Sequence, residues 1–168
     1  MTNNQFYISV GISDIPWDSI PHFYGRSCNF SDLLNEIVGH DILKINAAVQ
    51  QLQTNIVHQD GICLATPFTL IFLLRAMVFS KFKTDKIQSL IATVKAATDY
   101  QISLMEGEDY LKDAVGIFDL MNEVNLLPTF ENDEQEIHVW NTFDFGRTHN
   151  SVIYNTHQIL EKISREKI

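Results

Sequence analysis

Cysteine, proline and glycine are all scarce: the 168 residues contain two, four and seven of them. Cys28 and Cys63 stand far apart with no neighbouring cysteine, which excludes a disulfide framework and a Cys-x-x-Cys metal or redox pair. Each is expected to be a buried free thiol, in keeping with a cytoplasmic setting. So few glycines and prolines leave no room for a low-complexity linker, and the glycines stand singly, so no loop can cradle phosphate. The N-terminus lacks a basic region followed by an apolar core, so no signal peptide is expected. No His-Glu-x-x-His, Glu-x-x-His or calcium-loop pattern occurs, so neither metal nor cofactor is expected. Positive charge is also short, with 12 Lys and Arg against 21 Asp and Glu. Nucleic acid is a poor ligand for such a chain.

The negative charge is concentrated. Residues 106–136 hold ten acids (Glu106, Glu108, Asp109, Asp113, Asp119, Glu123, Glu131, Asp133, Glu134 and Glu136) and Lys112 alone as a base, which equals the whole net charge of −9. An acidic stretch of this kind repels nucleic acid and attracts basic surfaces. It also carries or adjoins Tyr110, Phe118, Phe130, Trp140, Phe143 and Phe145. Aromatic anchors among steering charges are the usual make-up of a protein-binding surface.

The apolar pattern is helical. Between Asp60 and Arg75 no residue is charged, and from Phe68 to Phe79 apolar residues fall on every side, so a helix there needs cover all round. It is shorter than the roughly 20 apolar residues that span a bilayer, so the rest of the chain should wrap it. Thr66-Pro67 is expected to start it, the threonine oxygen capping the first turn. Before it, Asn29 is expected to cap a short helix ending near Gly39. Asp41 opens a longer helix with the stripe Ile42, Ile45, Val49, Leu52, Ile56. After it, a stripe runs from Ile87 through Leu90, Val94 and Ala97 to Met105, and another from Tyr110 to Val124 with Gly116 as its weak point. Residues 137–145 read as strand or irregular chain, and Asn150 to the end as a final helix. Residues 5–12 suggest one short strand or extended arm. The expectation is an all-α single domain over 1–168, built from antiparallel helical hairpins.

Trp17-Asp-Ser-Ile-Pro-His-Phe-Tyr-Gly, then Leu33-Leu34, Asp41, Ala47-Ala48, Leu52, Ile56-Val-His-Gln, Ala65-Thr66 and Phe72-Leu-Leu resemble a bacterial group of HEAT-like helical proteins. Their pattern runs roughly W-x-x-I/L-x-H-A-Y-G, then I-x-H-Q-G-T, then A-T-x-x-x-x-P-F-L-L. The resemblance covers about residues 17–80; Asp60-Gly61 and Ile71 depart from the pattern. Members are often encoded with polymorphic toxins and taken as immunity proteins. The resemblance therefore implies a helical scaffold and the role of a contact-dependent growth inhibition immunity protein.

The expected partner is the C-terminal domain of a cognate toxin, a basic nuclease whose phosphate groove the acidic segment would fill. Partner-binding residues on this view are Glu106, Glu108, Asp109, Asp113, Glu131, Asp133, Glu134, Glu136 and Trp140. No membrane or nucleic-acid partner is expected, and no catalysis. His22 and His58 are expected to be structural, each bonding free carbonyls at a helix end with a ring nitrogen. Alternatives are a helical-repeat adaptor with no toxin partner, and an enzyme using His22 or His58.

Overall fold

In the computed structural model, which describes residues 2–79, 85–105, 111, 113–125 and 145–166, the chain begins with a helix. In α1 (Asn3–Ser9) a capping box closes the first turn: Gln5 N–H donates to Thr2 Oγ1 at 3.3 Å, and Thr2 N–H to Gln5 Oε1 at 3.0 Å. This corrects the strand or arm expected over 5–12. Phe6, Ile8 and Val10 alternate as a strand would, yet Phe6 and Val10 are buried while Ile8 is 78% exposed. That is the i, i+4 face of a helix. Arg75 fastens the end of α1, donating to the carbonyls of Tyr7 and Val10 with its guanidinium 5.2 Å over the Phe72 ring. Free carbonyls at a helix C-terminus favour a cation there.

Two 3-10 turns follow, Ile12–Asp14 and Trp17–Ser19, then the short strands β1 (Pro21–His22) and β2 (Gly25–Arg26), paired antiparallel. α2 (Phe30–Ile37) packs on α3 (Ile42–Ile56). Asn29 stands at the first cap position but makes no side-chain cap bond, whereas Asp41 accepts from Leu43 N–H and Lys44 N–H as expected. Ile45, Val49, Leu52 and Ile56 are buried along the α3 stripe, and only Ile42, at its open end, is exposed. A second ladder, β3 (Val57–His58) with β4 (Gly61–Ile62), leads into α4 (Ala65–Phe79).

Phe68, Leu70, Ile71, Phe72, Leu73, Ala76 and Met77 of α4 are all buried. Its cover comes from α2, from α5 (Asp85–Ser103) and from α7 (Phe145–Glu166), so the chain does wrap this helix. Ile87, Leu90, Val94 and Ala97 form the buried side of α5. α6 (Ile117–Asn125) begins later than the stripe from Tyr110 suggests. The backbone before it is engaged elsewhere: Val115 N–H donates to Ser151 Oγ at 3.0 Å, and Val115 C=O accepts from Asn155 Nδ2 at 2.9 Å. Gly116 also presses against the N-terminus, since a Cβ there would lie 2.4 Å from Asn3 Oδ1. α7 opens at Phe145, five residues ahead of the expected Asn150 and inside the stretch read as strand or irregular.

Among the described residues the fold is thus mainly α, with seven α-helices and two two-stranded ladders. The all-α expectation thus holds as mainly α, and the two ladders are additions to it. No helix among the described residues is long and apolar enough to cross a membrane.

Candidate functional site

The two hairpins lie against each other and build the most distinctive exposed face among the described residues. Phe23 N–H, in the β1–β2 turn, donates to the Asn55 carbonyl at 3.3 Å. The Phe23 ring then sits 5.6 Å from the His58 ring, and the Tyr24 ring meets His58 edge-on at 5.5 Å. Tyr24 Oη and His58 Nδ1 are 2.9 Å apart, a hydrogen bond joining the hairpins across 34 residues of sequence. Tyr24 is nonetheless 60% exposed and Phe23 37%.

Gly61 leaves room inside its own hairpin: a Cβ there would crowd the His58 carbonyl at 3.2 Å, while meeting Phe23 Cζ at an ordinary contact distance of 3.5 Å. The turn itself falls on Gln59 and Asp60, both in the left-handed region with φ of +46° and +61°. A two-residue hairpin of this kind normally takes Asn-Gly or Asp-Gly, and left-handed non-glycine residues cost on the order of 1 kcal/mol or more each. Gln101 of α5 holds the strained tip by donating from Nε2 to the Asp60 carbonyl at 2.9 Å.

Beneath the face lies aromatic core. His22 stacks on Phe30 at 5.3 Å, and Trp17 packs on Phe30 and Phe72 at 5.6 and 6.2 Å. His22 Nδ1 accepts from Tyr24 N–H at 3.1 Å, so the neutral ring carries its proton on Nε2. Burial holds the His22 pKa below its ordinary value, against a raising contribution from a hydrogen bond with the Arg26 backbone. Tyr24 thus engages Nδ1 of both histidines, through its amide and its hydroxyl, a partner the sequence does not indicate.

Thr66 also differs from expectation. α4 starts at Ala65, and Thr66 Oγ1 donates to the Ile56 carbonyl at 2.9 Å while accepting from Cys63 N–H at 3.0 Å. It joins α3, the second hairpin and α4 instead of capping α4. Burial pushes the Cys63 thiol up in pKa. Cys28 is exposed, contrary to the expectation of two buried thiols.

Of the acidic binding residues, Asp113 is described: it is exposed, in a turn at φ +59°. Glu106, Glu108, Asp109, Glu131, Asp133, Glu134, Glu136 and Trp140 lie outside the described residues. Asp119 is exposed on α6, while Glu123 is bound to Arg147 of α7 at 2.7 Å, so one acid of the segment already has a cation. Phe118 is core, its ring 6.1 Å from that of Phe6.

Two open clefts lie elsewhere. One of about 410 Å³ is lined by Val49, Gln50, Gln53, Lys86 and Ser89, and one of about 230 Å³ lies between α1 and α7 beside Tyr7 and Lys162. Neither includes His22 or His58. Among the described residues no group of three or more His, Cys, Asp or Glu could hold a metal ion. Comparison of the chain with protein-family models, with characterised proteins and with solved structures finds no match.

Proposed function

We propose that the chain is a cytoplasmic immunity protein on a HEAT-like helical scaffold, which binds the C-terminal domain of a cognate antibacterial toxin and blocks its active site. The observation that carries this reading is how the residues of the resemblance meet. Trp17, His22, Tyr24 and His58 come from separate stretches of sequence, yet each contacts another of them or the Phe30 ring, and Thr66 bonds the Ile56 carbonyl at the end of α3. The result is a rigid mount with aromatic side chains facing out.

The mechanism is occlusion without chemistry. Carboxylates of 106–136 pair with lysines and arginines that would otherwise hold RNA or DNA, and the long reach of that charge speeds encounter. The same charge repels nucleic acid, so the toxin and not its substrate is the ligand.

The test is capture of the product of the gene directly upstream, where an immunity gene would have its toxin, followed by association kinetics across salt. A stoichiometric complex is expected, with an on-rate that falls as salt screens charges beyond about 8–10 Å. Reversal of Glu131, Asp133, Glu134 and Glu136 to lysine should lower that on-rate. No complex at low salt would overturn the proposal.

A further inference from the structure

We infer that the paired hairpins are themselves a docking surface for a basic protein partner, with the Tyr24 ring and its His58 neighbour receiving an arginine side chain. This rests on the immunity reading for the partner's identity and stands on separate residues from the acidic segment.

Three observations point to it. The first is an exposed aromatic that is already fixed. Tyr24 shows 60% of its surface, yet its amide is bonded to His22 Nδ1 and its hydroxyl to His58 Nδ1. A side chain ordered before binding loses little freedom on contact, which is what makes tyrosine a strong interface anchor. The second is the tip beside it. Gln59 and Asp60 are both held left-handed in an exposed turn, with Gln101 pinning the Asp60 carbonyl. Strain retained at the surface tends to accompany binding segments. The third is local charge. Residues 17–62 carry five acids (Asp18, Asp32, Glu36, Asp41 and Asp60) against Arg26 and Lys44, a net −3. Both bases are engaged, Arg26 with the Ser19 carbonyl and Lys44 with Glu36, while Asp18, Asp32 and Asp60 are exposed. With exposed Asp60 on the hairpin of His58, an electron-rich ring on a segment of net negative charge fits a cation, and arginine more often than lysine takes such a place.

The experiment has two arms. In the first, a hexa-arginine peptide is titrated into the ¹⁵N-labelled chain, the Tyr24→Phe variant and the Tyr24→Ala variant. Shifts should centre on residues 22–25 and 57–62. Tyr24→Phe, which keeps the ring, should bind within a few-fold of wild type, and Tyr24→Ala about tenfold more weakly, as one cation–π contact would cost. Unchanged circular dichroism and melting temperature check that Tyr24→Ala still folds. Shifts confined to 106–136, or equal binding by Tyr24→Ala, would overturn the inference. In the second arm the upstream toxin domain is added to the same proteins. Failure of the wild type to bind it, with peptide shifts still at the hairpins, sinks the immunity reading and keeps the docking surface. Toxin binding that Tyr24→Ala and His58→Ala leave intact sinks the docking surface and keeps the immunity reading.

Discussion

Thr66→Val is the most telling single change in the fold, because one hydroxyl serves two buried backbone groups. Its oxygen accepts from Cys63 N–H and donates to the Ile56 carbonyl, which is the last carbonyl of α3, and Thr66 itself is fully buried. Valine keeps the volume and replaces the hydroxyl by a methyl group, so no cavity opens and overpacking is slight. What changes is that a part-buried N–H and a buried C=O lose this partner. Each such loss costs about 1–3 kcal/mol, so the variant should be less stable by about 2–5 kcal/mol. Thr66→Ser keeps the oxygen and loses one buried methyl, a cost nearer 1 kcal/mol. Urea unfolding followed by circular dichroism reads both as shifts in midpoint at constant slope. A Thr66→Val midpoint within about 0.5 kcal/mol of wild type, equal to or above that of Thr66→Ser, would refute the view that this hydroxyl ties α3 to α4.

Leu70→Ala and Phe72→Ala, each truncating a buried side chain of α4, should cost about 2–5 kcal/mol in the same assay; near-wild-type midpoints would deny α4 its central place. Tyr7, whose pKa is pushed up to about 12 by burial and by the nearby Tyr154, should be the late step in an ultraviolet titration of the tyrosines and be missing in Tyr7→Phe. The folded state keeps the phenol proton more tightly than the unfolded chain, so this contribution to stability is full below pH 10 and lost as pH rises from 10 through about 12. Of the two thiols, exposed Cys28 should react with a disulfide reagent in the native protein faster than half-buried Cys63, whose reaction should speed up on unfolding; equal native rates would contradict this difference in exposure.

The parts of the fold legible in the sequence are those where one face repeats for several turns. Apart from their outer ends at Ile42 and Met105, the stripes of α3 and α5 place their buried residues correctly, and the uncharged run at 61–74 marks the helix that the others cover. Short elements were not legible. A two-residue strand has no period, so neither hairpin could be seen. α1 has only about two turns, and Phe6, Ile8 and Val10 fit a strand as well as a helix until the capping box decides. The start of α6 depends on Ser151 and Asn155, more than 30 residues away, which take the Val115 backbone out of the helix. At the candidate site the same limit applies. His22-Phe-Tyr-Gly and His58-Gln fall in the two hairpins, but the Tyr24–His58 bond that joins them spans both hairpins and has no local signal.

Survival of cells making the C-terminal domain of the protein encoded directly upstream, the proposed toxin, with and without this chain, tests the central claim most directly. Co-expression of the wild-type chain is predicted to restore growth and to abolish the toxin's activity in the lysate, in a stoichiometric complex. Combining Tyr24→Ala with the four lysine reversals at Glu131, Asp133, Glu134 and Glu136 should remove protection while the protein remains folded. Growth arrest despite ample folded wild-type chain would contradict the account.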